Sequence, residues 1–356
     1  MRAKHPQRRR KNAHILFIAA VVIGCVGVSA FIIAGYQSDW TWTGFDATTG
    51  PNVLQYQPTK TLWDWMQLLI VPLVLAGGAL LFNFTSSRNE QKIALQRDQT
   101  AQQIALDNRR ETLLQTYLDR MSELLLHNAL RHTESHAEVR YIARARTLTV
   151  LPQLDGKRKG SLIKFLYESN LIEVINLSSA DLSEAELSEA KLHRANLSES
   201  NLSRAIIDLA DLSGANLSGA NLSAANLAFT NLDEANLSGA DLHLANLKDA
   251  TLTKANMNWA NLSEALLTGT NMSDASFHKA DLRKAHMEKA MLRNAELRRA
   301  DLREANLREA DLNKADLTEA DLQGASFYEA NLREAILQGA SFTQEQIEQA
   351  IKQRKM

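Results

Sequence analysis

The sequence predicts a mainly β fold, a four-sided β-solenoid entered through a two-helix transmembrane hairpin and a helical stalk and neck. Three observations carry this expectation. A large apolar residue recurs every five positions from Leu177 to Phe342, two long apolar runs lie between Ile15 and Phe84, and a charged segment free of glycine and proline follows them.

The five-residue register decides the fold of the second half. It holds for 34 units without a slip, with alanine two residues before almost every centre and Asp or Asn usually between them. On an α-helix, five residues rotate about 500°, so the leucines would wander round the surface. On a strand an odd period would send them to alternate faces. A chain that turns about a right angle per unit keeps every leucine inside, and four units close one square coil. Alanine suits the second inward position because a larger side chain would overfill the narrow interior. The 34 units make about 8.5 coils and a rod on the order of 40 Å at the usual spacing between strands. The six glycines of the tract all stand two residues after a centre, where a corner favours permissive backbone angles.

The run "ADLSEAELSEAKL" and its continuation resemble the A-[DN]-L-x-x motif of pentapeptide-repeat proteins. That resemblance implies a right-handed quadrilateral β-helix. The arrangement as a whole, including "ARARTLTVLPQLDGKRKGSLIKFLYESNLI" ahead of the repeats, is similar to membrane-anchored bacterial members, especially cyanobacterial ones. What it implies about fold is firmer than what it implies about function.

The apolar runs set the expected topology. Residues 15–35 carry no charge and match the ~20 residues needed to cross a bilayer core. Residues 63–84 form a second run with Asp64 near its start, and Pro72 with Gly77 and Gly78 predicts a kink there. Six cations lie between Arg2 and Lys11, a single one, Lys60, lies between the runs, and Arg88, Lys92 and Arg97 follow. This bias predicts a multi-pass protein of the cell membrane, with the N-terminal tail (1–14) and the solenoid cytosolic and a short exported loop (36–62). Cys25 ends a stretch that loosely resembles a lipoprotein signal, but the apolar run continues past it, as a full span requires.

Residues 85–131 have the composition of a helical stalk. Leu114, Leu118, Met121 and Leu125 fall at coiled-coil spacing, which suits either packing on the protein's own neck or self-association through the stalk. The neck (132–174) opens with the capping-box sequence Ser135-His136-Ala137-Glu138, and Asp155-Gly156 reads as a turn between two short helices. Its cations, among them Arg140, Arg144, Arg158 and Lys159, suit either a solvated face or contact with anionic lipid. Beyond the repeats (175–342), Thr343-Gln344-Glu345-Gln346 reads as a capping box that opens a C-terminal helix (343–356) over the last coil.

Chemistry is sparse. One cysteine allows neither an internal disulfide nor a cysteine zinc site. His127, His132 and His136 are too loosely spaced for a metal, and Gly156 to Ser161 lacks the order of a phosphate loop. The repeated Asp and Asn belong to the motif and not to an acid–base site. No enzyme, cofactor or metal is therefore expected, and a formal charge of −1 gives no reason to expect nucleic acid. What stands out is a set of outward apolar residues: Ile206, Leu209, Phe229 and Leu266 on one side, with Leu244 and Trp259 on the next two. They are the candidate protein-interaction patch of a non-catalytic, membrane-anchored scaffold whose protein partner the sequence does not identify. The alternatives are regulation of a membrane transporter or assembly through the hairpin, and DNA mimicry that protects gyrase, which the resemblance implies for some pentapeptide-repeat proteins. Residues 176–274 hold 5 basic and 13 acidic residues, a balance of −8, whereas 275–342 hold 11 and 12.

Overall fold

The computed structural model describes residues 27, 30, 34, 62–127, 130, 138–341, 343 and 346, with the side chains of 62–71 and 73 outside the description. The chain divides into two compact units, Met1–Ala101 and Gln102–Met356. The expected N-terminal tail, first span, exported loop, C-terminal helix and the residues Ser135, His136 and Ala137 lie outside the described residues, apart from isolated positions in the first span, Leu62 at the end of the loop, and Thr343 and Gln346.

Helix α1, Leu62–His127, is one continuous 66-residue element with Pro72 inside it. The expected boundary between a second span (63–84) and a separate stalk is therefore not a break in the backbone. Glycine- and proline-poor composition sustains the helix, and an isolated proline removes one hydrogen bond of a ladder with many. Val74, Leu75, Leu80, Leu81 and Phe82 on it are exposed. Among the described residues, no helix is long and apolar enough to cross a membrane, so α1 does not bear out the second span expected over 63–84.

Within the second unit, α1 packs on the neck. Leu114, Tyr117 and Met121 are buried, and Leu118 and Leu125 pack against the same core. The expected seam thus faces the protein's own neck. Helix α2, Glu138–Val150, runs into a 3-10 turn, Leu151–Gln153, that carries Pro152 at its start. The Tyr117 hydroxyl and Thr147 Oγ1 are 2.9 Å apart, and the Tyr117 ring meets Phe165 edge-on. Helix α3, Gly156–Glu168, begins without an intervening turn: Asp155 is its N-cap and accepts from the Arg158 N–H at 3.0 Å. That corrects the reading of Asp155-Gly156 as a turn, since a carboxylate at an N-cap satisfies an otherwise orphaned N–H.

From Leu177 the square coil appears as expected. Isolated parallel bridges join residues 20 apart, from Asp181↔Asn201 to Asp321↔Ser341. Leu217 N–H donates to the Asn236 carbonyl of the next coil at 2.7 Å, and Asn216 N–H to the Ala195 carbonyl of the previous one at 3.0 Å. Pairing is one residue long on each side before the chain turns, so no extended strand forms among the described residues, and "mainly β" is corrected to a ladder of bridges and turns. Each corner is closed by a bond such as Ala265 N–H to Leu262 O at 3.1 Å.

Every second residue after a centre, from Ser179 to Gly339, has positive φ. Glycine fills only six of these corners; Glu264 (φ 59°), Trp259 (64°) and Lys254 (59°) do the same. A left-handed non-glycine costs about 1–2 kcal/mol, whereas a fully buried leucine returns about 1.5–3 kcal/mol and the inward alanine adds to it. The inward leucine and alanine of each unit therefore outweigh its corner, and glycine is not required there. The exceptions to inward alanine also have partners: buried Thr230 and Thr270 donate to the carbonyls of Ile207 and Leu247.

Candidate interaction surface

The first coil exposes carbonyls that have no coil beneath them, and the neck supplies their donors. Arg144 donates from Nε to Asn176 O and from Nη2 to Ser178 O, both at 3.0 Å. Lys159 is only 4% exposed and donates from Nζ to Ser183 O at 2.9 Å. Gly156 O accepts from Glu186 N–H at 3.0 Å. Arg158 holds α3 to α1 through Asp107 and Glu111, each at 2.9 Å, and to Asp155 at 2.6 Å. Three cations of the neck are thus structural donors and not the solvated or lipid-facing groups the sequence suggested. Gly156 and Gly160 belong to the same junction: a Cβ on either would lie 2.1 Å from the carbonyl of Glu184 or Glu186. The pair of glycines four residues apart was the signal for this close approach.

The repeated Asn and Asp residues are likewise internal. Asn196 Oδ1 accepts the Ser198 N–H and Asp211 Oδ1 the Ser213 N–H, the local turn such side chains favour. Asn ladders then run between coils, as from Asn256 to Asn236 at 3.2 Å. Burial pushes the Asp211 carboxyl up, but hydrogen bonds from Ser213 outweigh it and hold the group below the usual carboxylate range. Among the described residues no group of three metal-binding side chains converges.

Four flat sides remain, named here first to fourth after the columns of Leu177, Leu182, Leu187 and Leu192. Ile206, Leu209, Phe229 and Leu266 stand on the third side, Leu244 on the second and Trp259 on the first, and all are exposed. The six do not form one patch. Leu209 and Phe229 (54% exposed) are stacked in one column on adjacent coils, with Ile206 on the coil of Leu209. Leu266 is separated from Ile206 by Asn226 and Asn246, which bond to each other at 2.8 Å. Trp259 is engaged by its own neighbours, with Lys279 Nζ 4.2 Å from its ring centroid and His278 edge-on at 5.9 Å.

Charge divides along the rod in a way that composition alone does not reveal. In the distal half Arg283 grips Asp281 (2.8 and 2.6 Å), Arg303 grips Asp301, Arg298 bonds Asp316 at 2.5 Å, and Arg293 bonds Asp311. A 350 Å³ groove lined by His243, Arg283, Lys284 and Arg303 is therefore bordered by guanidinium groups already held by carboxylates. On the third side, by contrast, Glu186, Glu189, Asp208 and Asp249 form no ion pair among the described residues.

The register, the 20-residue coil and the corners can now be set beside known proteins. The family description "pentapeptide repeats" matches in 8 copies over residues 175–208, 210–249, 230–269, 270–308 and 305–344. HetL, a pentapeptide repeat protein involved in heterocyst differentiation regulation from the cyanobacterium Nostoc sp. strain PCC 7120, is 36% identical over 47% of this chain and 86% of its own, with a TM-score of 0.30. The chain belongs to the pentapeptide-repeat family. A pentapeptide repeat protein of the Arabidopsis thaliana thylakoid lumen is 31% identical over 28% of this chain and 68% of its own, with a TM-score of 0.27. QnrB1, a plasmid-mediated fluoroquinolone resistance protein, is 16% identical over 49% and 93%, with a TM-score of 0.28. Family membership rests on the repeats and on sequence identity. No curated protein matches the chain. Pentapeptide-repeat proteins form right-handed β-helices, which is the fold the bridges and corners build here.

Proposed function

We propose that this pentapeptide-repeat protein is a non-catalytic interaction scaffold attached to the cell membrane, with its solenoid in the cytosol. The observation that supports it most is the grouping of exposed Ile206, Leu209 and Phe229 on two adjacent coils of one side. Exposed apolar groups gathered on adjacent coils suit a protein contact better than scattered substitution does. Attachment is supported by the apolar run 15–35, the exposed apolar residues at the start of α1 and the bias of cations away from 36–62.

Two measurements test this reading. Cells expressing the full chain with tags at residues 1 and 356 should keep it in the membrane fraction after carbonate washing, with both tags shielded from external protease. Release by carbonate, or digestion of the C-terminal tag from outside, would remove the topology. Affinity capture with the full chain should lose specific proteins when Leu209→Glu and Phe229→Glu are introduced into a chain that still folds; unchanged partners would remove the docking role.

A further inference from the structure

We propose that the third side binds a Lys- and Arg-rich protein segment that carries a bulky apolar anchor, seated between Glu186 and Asp249. This rests on the reading of that side as a docking face and adds the chemistry of its partner. The four units of the third side from Glu186 to Asp249 carry Glu186, Glu189, Asp208 and Asp249 against a single base, Lys248; Lys157, Lys164 and Lys191 border a groove beside Glu186 and Glu189 without an ion pair to either among the described residues. Glu186 lies directly beneath Ile206 as its parallel-bridge partner. Glu189 precedes Leu209 by one coil, and Asp249 follows Phe229 by one. Carboxylates therefore bracket the apolar cluster above and below, with coils about 4.8 Å apart.

These carboxylates lack the partners that others on the rod have. Among the described residues the Asp208 carboxylate accepts only the Ser188 hydroxyl at 2.6 Å, and Asp249 Oδ1 occupies the space a Cβ would take on Gly269. None of the four joins an ion pair among the described residues, while Asp281, Asp301, Asp311 and Asp316 each hold an arginine. Open negative charge around an exposed apolar centre steers and orients a positive segment with an apolar anchor, and repels an acidic one. A second copy of this rod does not fit that description, since its own exposed cluster has the same negative rim.

The test places a photo-reactive benzoyl-phenylalanine at position 248 of the full chain in cells and identifies the cross-linked peptides by mass spectrometry. The expected adducts are segments of other proteins with an excess of Lys and Arg beside a large apolar residue. Their yield should fall about tenfold in a Glu186→Gln, Glu189→Gln, Asp208→Asn, Asp249→Asn chain, and fall with added salt in permeabilised cells. A Glu304→Gln, Glu309→Gln chain should leave it unchanged. Adducts to acidic or neutral segments, to lipid or to this chain itself would overturn the proposed partner and leave the docking face standing. Absence of any adduct from position 248 and from position 206 would remove the docking face as well.

Discussion

Lys159 is buried at the base of the rod and donates its ammonium to the Ser183 carbonyl at 2.9 Å, 24 residues away in sequence. Its carboxylate partner, Asp181, is more distant at 3.5 Å, so the carbonyl is the closer contact. A cation here closes the first coil as another coil would.

Lys159→Met should leave that carbonyl unsatisfied and cost about 1–3 kcal/mol. Urea unfolding of the full chain in detergent measures it, with Lys164→Met as the exposed control, expected within about 0.5 kcal/mol of the parent. Equal midpoints for the two variants would show that the lysine does not cap the coil.

Gly160→Ala should destabilise, although alanine normally stabilises a helix interior by about 1 kcal/mol, and Gly156→Ala at the first position of α3 should destabilise as well. The added Cβ would meet a backbone oxygen at 2.1 Å, which no side-chain rotation relieves. Hydrogen exchange should accelerate at Glu186 N–H, whose acceptor is Gly156 O. A rise in thermal midpoint would contradict the close approach.

At the corners the sign reverses. Lys254 holds φ at 59°, so Lys254→Gly should raise stability by about 0.5–1 kcal/mol through relief of left-handed strain, less the entropy glycine gains when unfolded. Lys254→Ala keeps the strain and should be near neutral. The two variants compared by thermal unfolding isolate the corner, and a less stable glycine variant would refute the account.

Acid should weaken the fold in a defined window. Asp155, Asp181, Asp211, Asp281 and Asp316 are each pushed up by burial, and hydrogen bonds and nearby cations more than offset this, leaving all five below their ordinary value. A depressed folded pKa stabilises above the unfolded value, about 3.9, and that stabilisation disappears as pH falls through the folded values. The thermal midpoint should hold from about pH 7 to about pH 5 and drop below about pH 4, with a shallower drop in Asp181→Asn, Asp316→Asn. Identical acid profiles for parent and variant would sink this assignment.

Gln346 guards the other end. It is 4% exposed, donates to Leu322 O and Ala325 O at 2.6 and 2.5 Å, and accepts the Thr343 N–H at 2.8 Å. Gln346→Ala should cost about 1–3 kcal/mol and promote association through the opened coil, read by light scattering. A monodisperse variant of unchanged stability would argue against this closure.

The sequence by itself determined the coil, because a five-residue register is a local property repeated along the chain and only one backbone path keeps its leucines inside. The reciprocal cap at Thr343 and Gln346 was legible for the same reason, as both partners lie within one turn. Tertiary structure decided what depends on residues far apart in sequence. It turned the stalk seam onto the neck and used Arg144 and Lys159 to close the first coil. It also paired the distal carboxylates with arginines while leaving Glu186, Glu189, Asp208 and Asp249 open. The six expected patch residues were visible as outward positions, but their grouping was not. Whether two side chains stack, or are parted by an asparagine ladder, depends on which coils bring them together across 20 residues or more.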